Sequence, residues 1–449
     1  MDNKLNKKEF VSVSLMLFAM FFGAGNLIFP PILGNQSGSS MWLALIGFAV
    51  TAVAFPILGI LAIAKTDGAK NLAKRVGPWF AVALPTVIYL SIGPGIAIPR
   101  NGSLAFEMSV MPYLSDQSSV VIWRLIYTLL FFLLALYLCL QPSKLVDRMG
   151  KLMTPVLLVL IIIFFVGSLI KLPVEIASPK EAYSQPFFKG FIEGYNTMDT
   201  LATFCFGLVI AMTIKSYEVK DEKEVIKYAS KSGLIAGSML FVVYAMIAYV
   251  GQILSNTLQD PSNGGVVLFE ATNRVFGSLG AVVLILIFTL ACLTTVVGLI
   301  TSVSQFFSEL TNEKINYKAW VLIFTFVSFV LSNFGLNSIL TFSVPILVSI
   351  YPVAIVLVVL ALLNDILNLS DLTYKWTAYI TLFISILQGL RTAGINIEFL
   401  NNLMSKLPLY SEGLEWVLPA FVVMILSVRY EKIREKGVSY GKLRRQEND

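Results

Sequence analysis

Apolar runs of bilayer length, parted by short charged segments, recur along almost the whole chain. A hydrocarbon core about 30 Å thick takes roughly 20 residues of helix, and backbone groups in lipid must be satisfied within their own segment, so each run reads as a helix rather than a barrel strand. The pattern predicts twelve spans, at about 10–33, 41–64, 80–109, 120–140, 150–170, 189–214, 232–254, 278–308, 319–334, 340–363, 374–391 and 413–428. The first five and the next five repeat one order: interrupted helix, ordinary helix, unusually long helix, two ordinary helices. An odd number of spans per copy turns the second copy upside down, the signature of an inverted-repeat secondary transporter.

The expected organisation is therefore an all-α polytopic membrane protein with a single membrane transport domain. Its first repeat covers 10–170 and its second, inverted repeat 189–363. Two additional, peripheral spans follow over 374–428, and a basic cytoplasmic tail occupies 429–449.

Composition closes off other classes. The hydrophobic set makes up 57% of the 449 residues and the charged set only 13%, with a mean hydropathy of +0.79. Soluble domains carry roughly 25% charge, so a water-soluble fold is excluded. A formal charge of +6 would suit nucleic acid, but the basic residues cluster at the ends of alternate spans, where they set topology instead. Counting them places both termini on the cytoplasmic side of a bacterial inner membrane, with the lipid bilayer as partner and no nucleic acid. The charged amino terminus runs into the first span without a small-residue cleavage site, so that span is expected to be retained.

Histidine is absent, and Cys139, Cys205 and Cys292 each stand alone in an apolar run. Neither a disulfide framework, a transition-metal site nor a histidine relay is expected, and no catalytic cluster or cofactor motif marks an enzyme.

Candidate chemistry sits where the apolar pattern breaks. The first span holds Gly23-Ala24-Gly25-Asn26 and then Pro30-Pro31. An interior glycine costs roughly 1 kcal/mol against alanine and an interior proline roughly 3 kcal/mol, so unwinding at the midpoint is the natural solution. Unwinding presents freed amides at one helix end and freed carbonyls at the other, a pair of partial charges suited to a zwitterion and a cation. A simple kink or packing contact would use the same residues.

The sixth span carries Glu193-Gly194-Tyr195-Asn196-Thr197-Met198-Asp199-Thr200 near mid-membrane, where a charge costs roughly 2.5 to 3.5 kcal/mol and so must line a cavity or pair internally. In the eighth span Ala291, Thr294, Thr295, Gly298, Ser302 and Gln305 form one small and polar stripe at helical spacing. Its hydroxyls are hard oxygen ligands of the kind sodium takes, or else bond within their own helix. In the third span Arg100 is expected to pair with Glu107 two turns on rather than to contact substrate, and Ser343, Pro345, Ser349 and Pro352 mark the tenth span as a flexible, gate-lining helix.

The strings Phe21-Phe22-Gly23-Ala24-Gly25-Asn26-Leu27-Ile28-Phe29-Pro30-Pro31 and Glu193-Gly194-Tyr195-Asn196-Thr197-Met198-Asp199 resemble the branched-chain amino acid carriers of bacteria, along essentially the whole chain. The resemblance implies a LeuT-like fold of five-plus-five inverted repeats plus two spans. It implies uptake of leucine, isoleucine and valine by symport with sodium or, in some members, a proton. Carried over residue by residue, it places Gly23, Ala24, Gly25 and Asn26 with Tyr195, Asn196, Thr197 and Met198 around the substrate. Ala291, Thr294 and Thr295 match an Ala-x-x-Thr-Ser/Thr pattern that holds sodium in such folds, with the carbonyls of Ala19 and Phe22 as partners. A proton-coupled carrier of another neutral amino acid, a channel and a non-transporting nutrient sensor stay open beside this reading.

Overall fold

The computed structural model describes residues 4–114 and 119–446, and within them every regular element is helical. The first expected span is two helices, α1 (Lys7–Phe21) and α2 (Ala24–Ser37). At the start of α1, Asn6 and Glu9 cap each other reciprocally, each side chain accepting the other's backbone N–H at 2.9 Å. The chain leaves helical geometry at Phe22 (φ −76°, ψ 89°) and Gly23 (φ −128°, ψ −155°), at the head of the Gly-Ala-Gly run. Pro30 and Pro31 then sit inside α2 without donating to the turn before them.

The second span is α3 (Met41–Ala49) and α4 (Phe55–Lys65), joined by a π-turn over Val50–Ala54. After a short α5 (Ala69–Lys74), the third span runs through α6 (Phe80–Leu90), a π-turn at Ser91–Gly95 and α7 (Ala97–Ser109), with Gly93 outside helical geometry. Then come α8 (Val120–Cys139) and α9 (Thr154–Lys171). The sixth span, like the first, is split. Helix α10 (Pro186–Glu193) gives way to a 3-10 turn at Gly194–Thr197 before α11 (Asp199–Ser216).

Helix α12 (Glu222–Ile253) is followed by α13 (Gly264–Phe276), capped by the Asn263 side chain, a helix between the seventh and eighth expected spans. The rest of the chain forms α14 (Gly280–Leu310), α15 (Tyr317–Ser332), α16 (Leu336–Leu367), α17 (Asp371–Thr392), α18 (Glu398–Met404) and α19 (Val417–Gln446). Helix α19 continues through most of the expected tail, of which 447–449 lie outside the described residues. Among the described residues eight helical stretches are long and apolar enough to cross a membrane, and α15 is a shorter apolar helix. Rows of exposed Leu, Ile and Val on α8 and α9 present the apolar face that lipid, not water, would cover.

The inverted repeat is visible in which helices touch. The second half of the first span, α2, packs on α12, and correspondingly the second half of the sixth, α11, packs on α4, as exchange of two five-span copies requires. The contact of α2 with α12, like that of α10 with α3, uses glycine on each partner. A Cβ on Gly34 would lie 1.8 Å from the Ala248 carbonyl oxygen, and one on Gly251 would lie 2.0 Å from that of Pro31. Likewise, a Cβ on Gly47 would meet the Phe187 oxygen at 2.0 Å and one on Gly190 the Ala44 oxygen at 1.9 Å. Small residues let helix backbones approach this closely where no hydrophobic effect drives helices together.

The chain forms two compact units, Met1–Gly68 with Val87–Val344, and Ala69–Thr86 with Pro345–Asp449. In the second, Arg75 bonds Asp371 and the Leu369 carbonyl, each at 2.5 Å, and Arg391 pairs with buried Glu415 at 2.9 Å. Ser349, from the expected gate helix, donates to the Pro345 carbonyl at 2.8 Å, and its own carbonyl accepts from Ser385 at 2.7 Å. These hydroxyls are thus engaged within the second unit.

Candidate functional site

The two breaks meet in the first unit. Gly194 is the joint: a Cβ there would lie 1.9 Å from Thr51 Oγ1 in the π-turn of the second span. That π-turn frees groups for the sixth span. Thr51 Oγ1 donates to the Phe191 carbonyl at 2.8 Å, and the Thr51 carbonyl accepts from Thr200 at 2.9 Å. Met198 takes a left-handed conformation (φ 68°, ψ 10°), costly for a side-chain-bearing residue and typical of places where surrounding structure over-determines the backbone. The turn aims Asp199 at the start of α11, where a carboxylate suits the positive end of the helix dipole.

Around the breaks lies a small cavity of about 20 Å³, room for roughly one water. Gly23, Ala24, Gly25 and Asn26 line it from the first span, Thr197, Met198 and Asp199 from the sixth, Arg100 and Asn101 from α7, and Thr295 from α14. Met20, Phe21, Ile92, Phe206 and Leu299 supply its apolar wall.

Its polar groups form a connected set. Asn26 Nδ2 donates to Asp199 Oδ2 at 2.7 Å and bonds the Tyr244 hydroxyl, which donates to the same Asp199 oxygen at 2.9 Å. Asn26 Oδ1 accepts from the Gly23 amide at 3.1 Å, and Asn101 Oδ1 from the Ala24 amide at 2.8 Å. Two amides freed by the first break are therefore already held by side chains. Arg100 and Asp199 are each only 2% exposed, and Arg100 Nη1 donates to the Asn196 carbonyl at 2.8 Å.

This corrects the expected pair of Arg100 with Glu107. Glu107 Oε1 instead accepts the Leu336 amide at 2.9 Å, capping α16, because the two residues are pulled to different partners on other spans.

The expected substrate set is brought together in part. Asn196 reaches the site through its carbonyl, while its side-chain amide donates to Glu193 at 3.1 Å, and Tyr195 packs edge-on to Phe191 at 5.8 Å. Of the expected sodium ligands, Thr295 Oγ1 lies 3.3 Å from the Ala19 carbonyl oxygen, across the break. Thr294 turns its hydroxyl to its own helix, toward Leu290 O at 3.1 Å and Ala291 O at 3.0 Å. Ala19, Phe22 and Ala291 are fully buried beside these groups. Sequence reasoning missed Asn101 and Tyr244. Asn101 follows Arg100 in a polar pair that could have drawn notice, whereas nothing distinguishes Tyr244 from other aromatics on α12.

Paired broken helices around one buried, polar cavity define a transporter of the inverted-repeat, broken-helix class. MhsT in complex with L-phenylalanine aligns over 95% of this chain and 99% of its own, with TM-score 0.55 and 14% identity. A nucleobase-cation-symport-1 family transporter, closed with bromovinylhydantoin bound, aligns over 97% and 95%, with TM-score 0.59 and 12% identity. Both show likeness of fold. The chain belongs to the branched-chain amino acid transport protein family, whose profile matches residues 6–434. It is 41% identical over 424 residues to the branched-chain amino acid permease BrnQ of Bacillus subtilis, covering 94% of this chain and 96% of that one. It is 36% identical over 430 residues to the branched-chain amino acid transport system 2 carrier protein of Pseudomonas aeruginosa, covering 95% and 97%.

Proposed function

We propose that the protein imports leucine, isoleucine and valine by symport with sodium, through alternating access to the cavity between the two helix breaks. The observation that carries this reading is the convergence of both breaks on one small site lined by polar groups of each and by apolar residues such as Phe21, Ile92, Phe206 and Leu299. The α-amino and α-carboxylate groups lie toward Gly23, Ala24, Gly25 and Asn26 and toward the turn from Tyr195 through Asn196 and Thr197 to Met198. The aliphatic side chain lies against Phe21, Ile92, Phe206 and Leu299. With so little free volume, binding requires these walls to move apart.

Sodium sits between Thr295, Thr294 and the carbonyls of Ala19, Phe22 and Ala291. The 3.3 Å between Thr295 Oγ1 and Ala19 O supports this, since two oxygens each roughly 2.3 to 2.6 Å from one hard cation come that close.

The test is competition against labelled leucine uptake in proteoliposomes. Isoleucine, an isomer of leucine, is expected to compete to within about tenfold of it, and valine, one methylene smaller at roughly 1 to 3 kcal/mol in an apolar pocket, to within about two-hundredfold. Lysine or glutamate competing as well as valine would overturn the assignment.

A further inference from the structure

The carboxylate of an amino acid entering this cavity needs a positive partner, and the amides usually freed by such a break are partly spoken for. The Gly23 and Ala24 N–H groups already donate to Asn26 and Asn101. A guanidinium stands beside the third residue of the run. Arg100 lines the cavity, is 2% exposed, and holds only the Asn196 carbonyl through Nη1, while its buried Nε has no hydrogen-bond partner. Its Nη2 is close enough to Gly25 that a Cβ on that glycine would lie 2.7 Å away. Glu107, its expected counter-ion, is turned to α16. Asp199 shares the cavity but accepts from Asn26 and Tyr244, so the guanidinium keeps unused donors, and a buried donor left unmade is costly.

We infer that Arg100 is the carboxylate anchor of the site, gripping the substrate's α-carboxylate beside Gly25 and thereby restricting transport to zwitterions. This rests on the transport reading above and deepens it. Arginine suits the role because its planar fork pairs with carboxylates through two parallel hydrogen bonds and stays charged when buried. Asp199, on the same cavity and held by Asn26 and Tyr244, supplies the negative group that an α-ammonium requires.

The experiment measures binding of L-leucine and of L-leucinamide, which keeps the ammonium and side chain but lacks the carboxylate, to the purified full chain in sodium-containing buffer. Wild type is expected to prefer leucine by about a hundredfold, the scale of a lost charge-assisted pair. In Arg100→Gln the apparent Kd for leucine should rise about a hundredfold while that for leucinamide stays within about threefold, so the preference collapses. Arg100→Lys should fall between. Equal weakening of both ligands in either variant would assign Arg100 to packing and overturn the inference. Should Arg100→Gln fail to fold, the wild type decides: indifference to the carboxylate overturns the inference while leaving leucine transport standing. A wild type that binds neither ligand would instead bring down the transport reading.

Discussion

Gly25→Val is expected to abolish amino acid binding, raising the apparent Kd at least about a hundredfold, while the protein still inserts and purifies as a folded species. The reason is spatial rather than conformational. A Cβ at this position would lie 2.7 Å from Arg100 Nη2, 3.0 Å from the Thr197 Cα and 3.1 Å from the Asn196 carbonyl oxygen. Two of these three are backbone atoms of the second break, so the neighbours cannot swing away as a flexible side chain would. Valine's further carbons would occupy a cavity with only about 20 Å³ of free space. Folding should suffer less than binding, because the helix-packing glycines, such as Gly34 and Gly251 between the first and seventh spans, are untouched. Gly77→Ala serves as the control, since nothing lies within 4 Å of a Cβ there. Leucine binding and thermal stability in detergent check the claim. A Gly25→Val protein that binds leucine normally would return this glycine to a packing role.

Thr295→Val is expected to raise the sodium concentration for half-maximal uptake by about tenfold or more, with Thr294→Val having the smaller effect. Valine keeps the shape of threonine and removes the oxygen, and one lost hydrogen bond to a charged group costs roughly 1.5 to 3 kcal/mol, or about ten- to a hundredfold. The order follows from geometry. Thr295 Oγ1 donates across the break to the Ala19 carbonyl, itself an expected ion ligand, whereas Thr294 donates within its own helix to Leu290 and Ala291. The measurement is initial leucine uptake against sodium concentration at fixed potential and pH. Coincident curves for wild type and both variants would place the ion elsewhere.

How much of this was legible in the sequence depended on whether the physics was local. The all-helical class and the two breaks follow from composition along one segment. Gly and Pro cannot sit cheaply mid-helix, and polar residues cannot sit cheaply mid-membrane. The first break was placed in the right span but about a residue late, because Gly23 caps α2 while Ala24 and Gly25 are already helical. Partners across spans were another matter. Arg100 and Glu107 share a helix at two-turn spacing, which suggested a pair, yet their partners come from Asn196 and Leu336, 96 and 229 positions from the residues they bond. Tyr244 reaches Asp199 and Asn26 from a helix whose sequence reads as uniform lipid-facing or core material. The same holds for α13, where Gly264 sits against the Ile28 carbonyl of α2, a close approach that no local pattern announces.

The energy for import would come from the ion. A cation entering through the membrane potential gains roughly 2.3 kcal/mol per 100 mV, and a tenfold sodium gradient adds about 1.4 kcal/mol. Together they support accumulation of several hundredfold for one sodium per substrate. The most direct measurement is labelled leucine accumulation in sealed proteoliposomes under an inward sodium gradient, with a potassium gradient and a proton gradient imposed in separate arms at the same potential. Accumulation above the external concentration with sodium alone, collapsing when the sodium gradient is dissipated, is the predicted result. Accumulation that follows the proton gradient and ignores sodium, or leucine that only equilibrates in every arm, would contradict it.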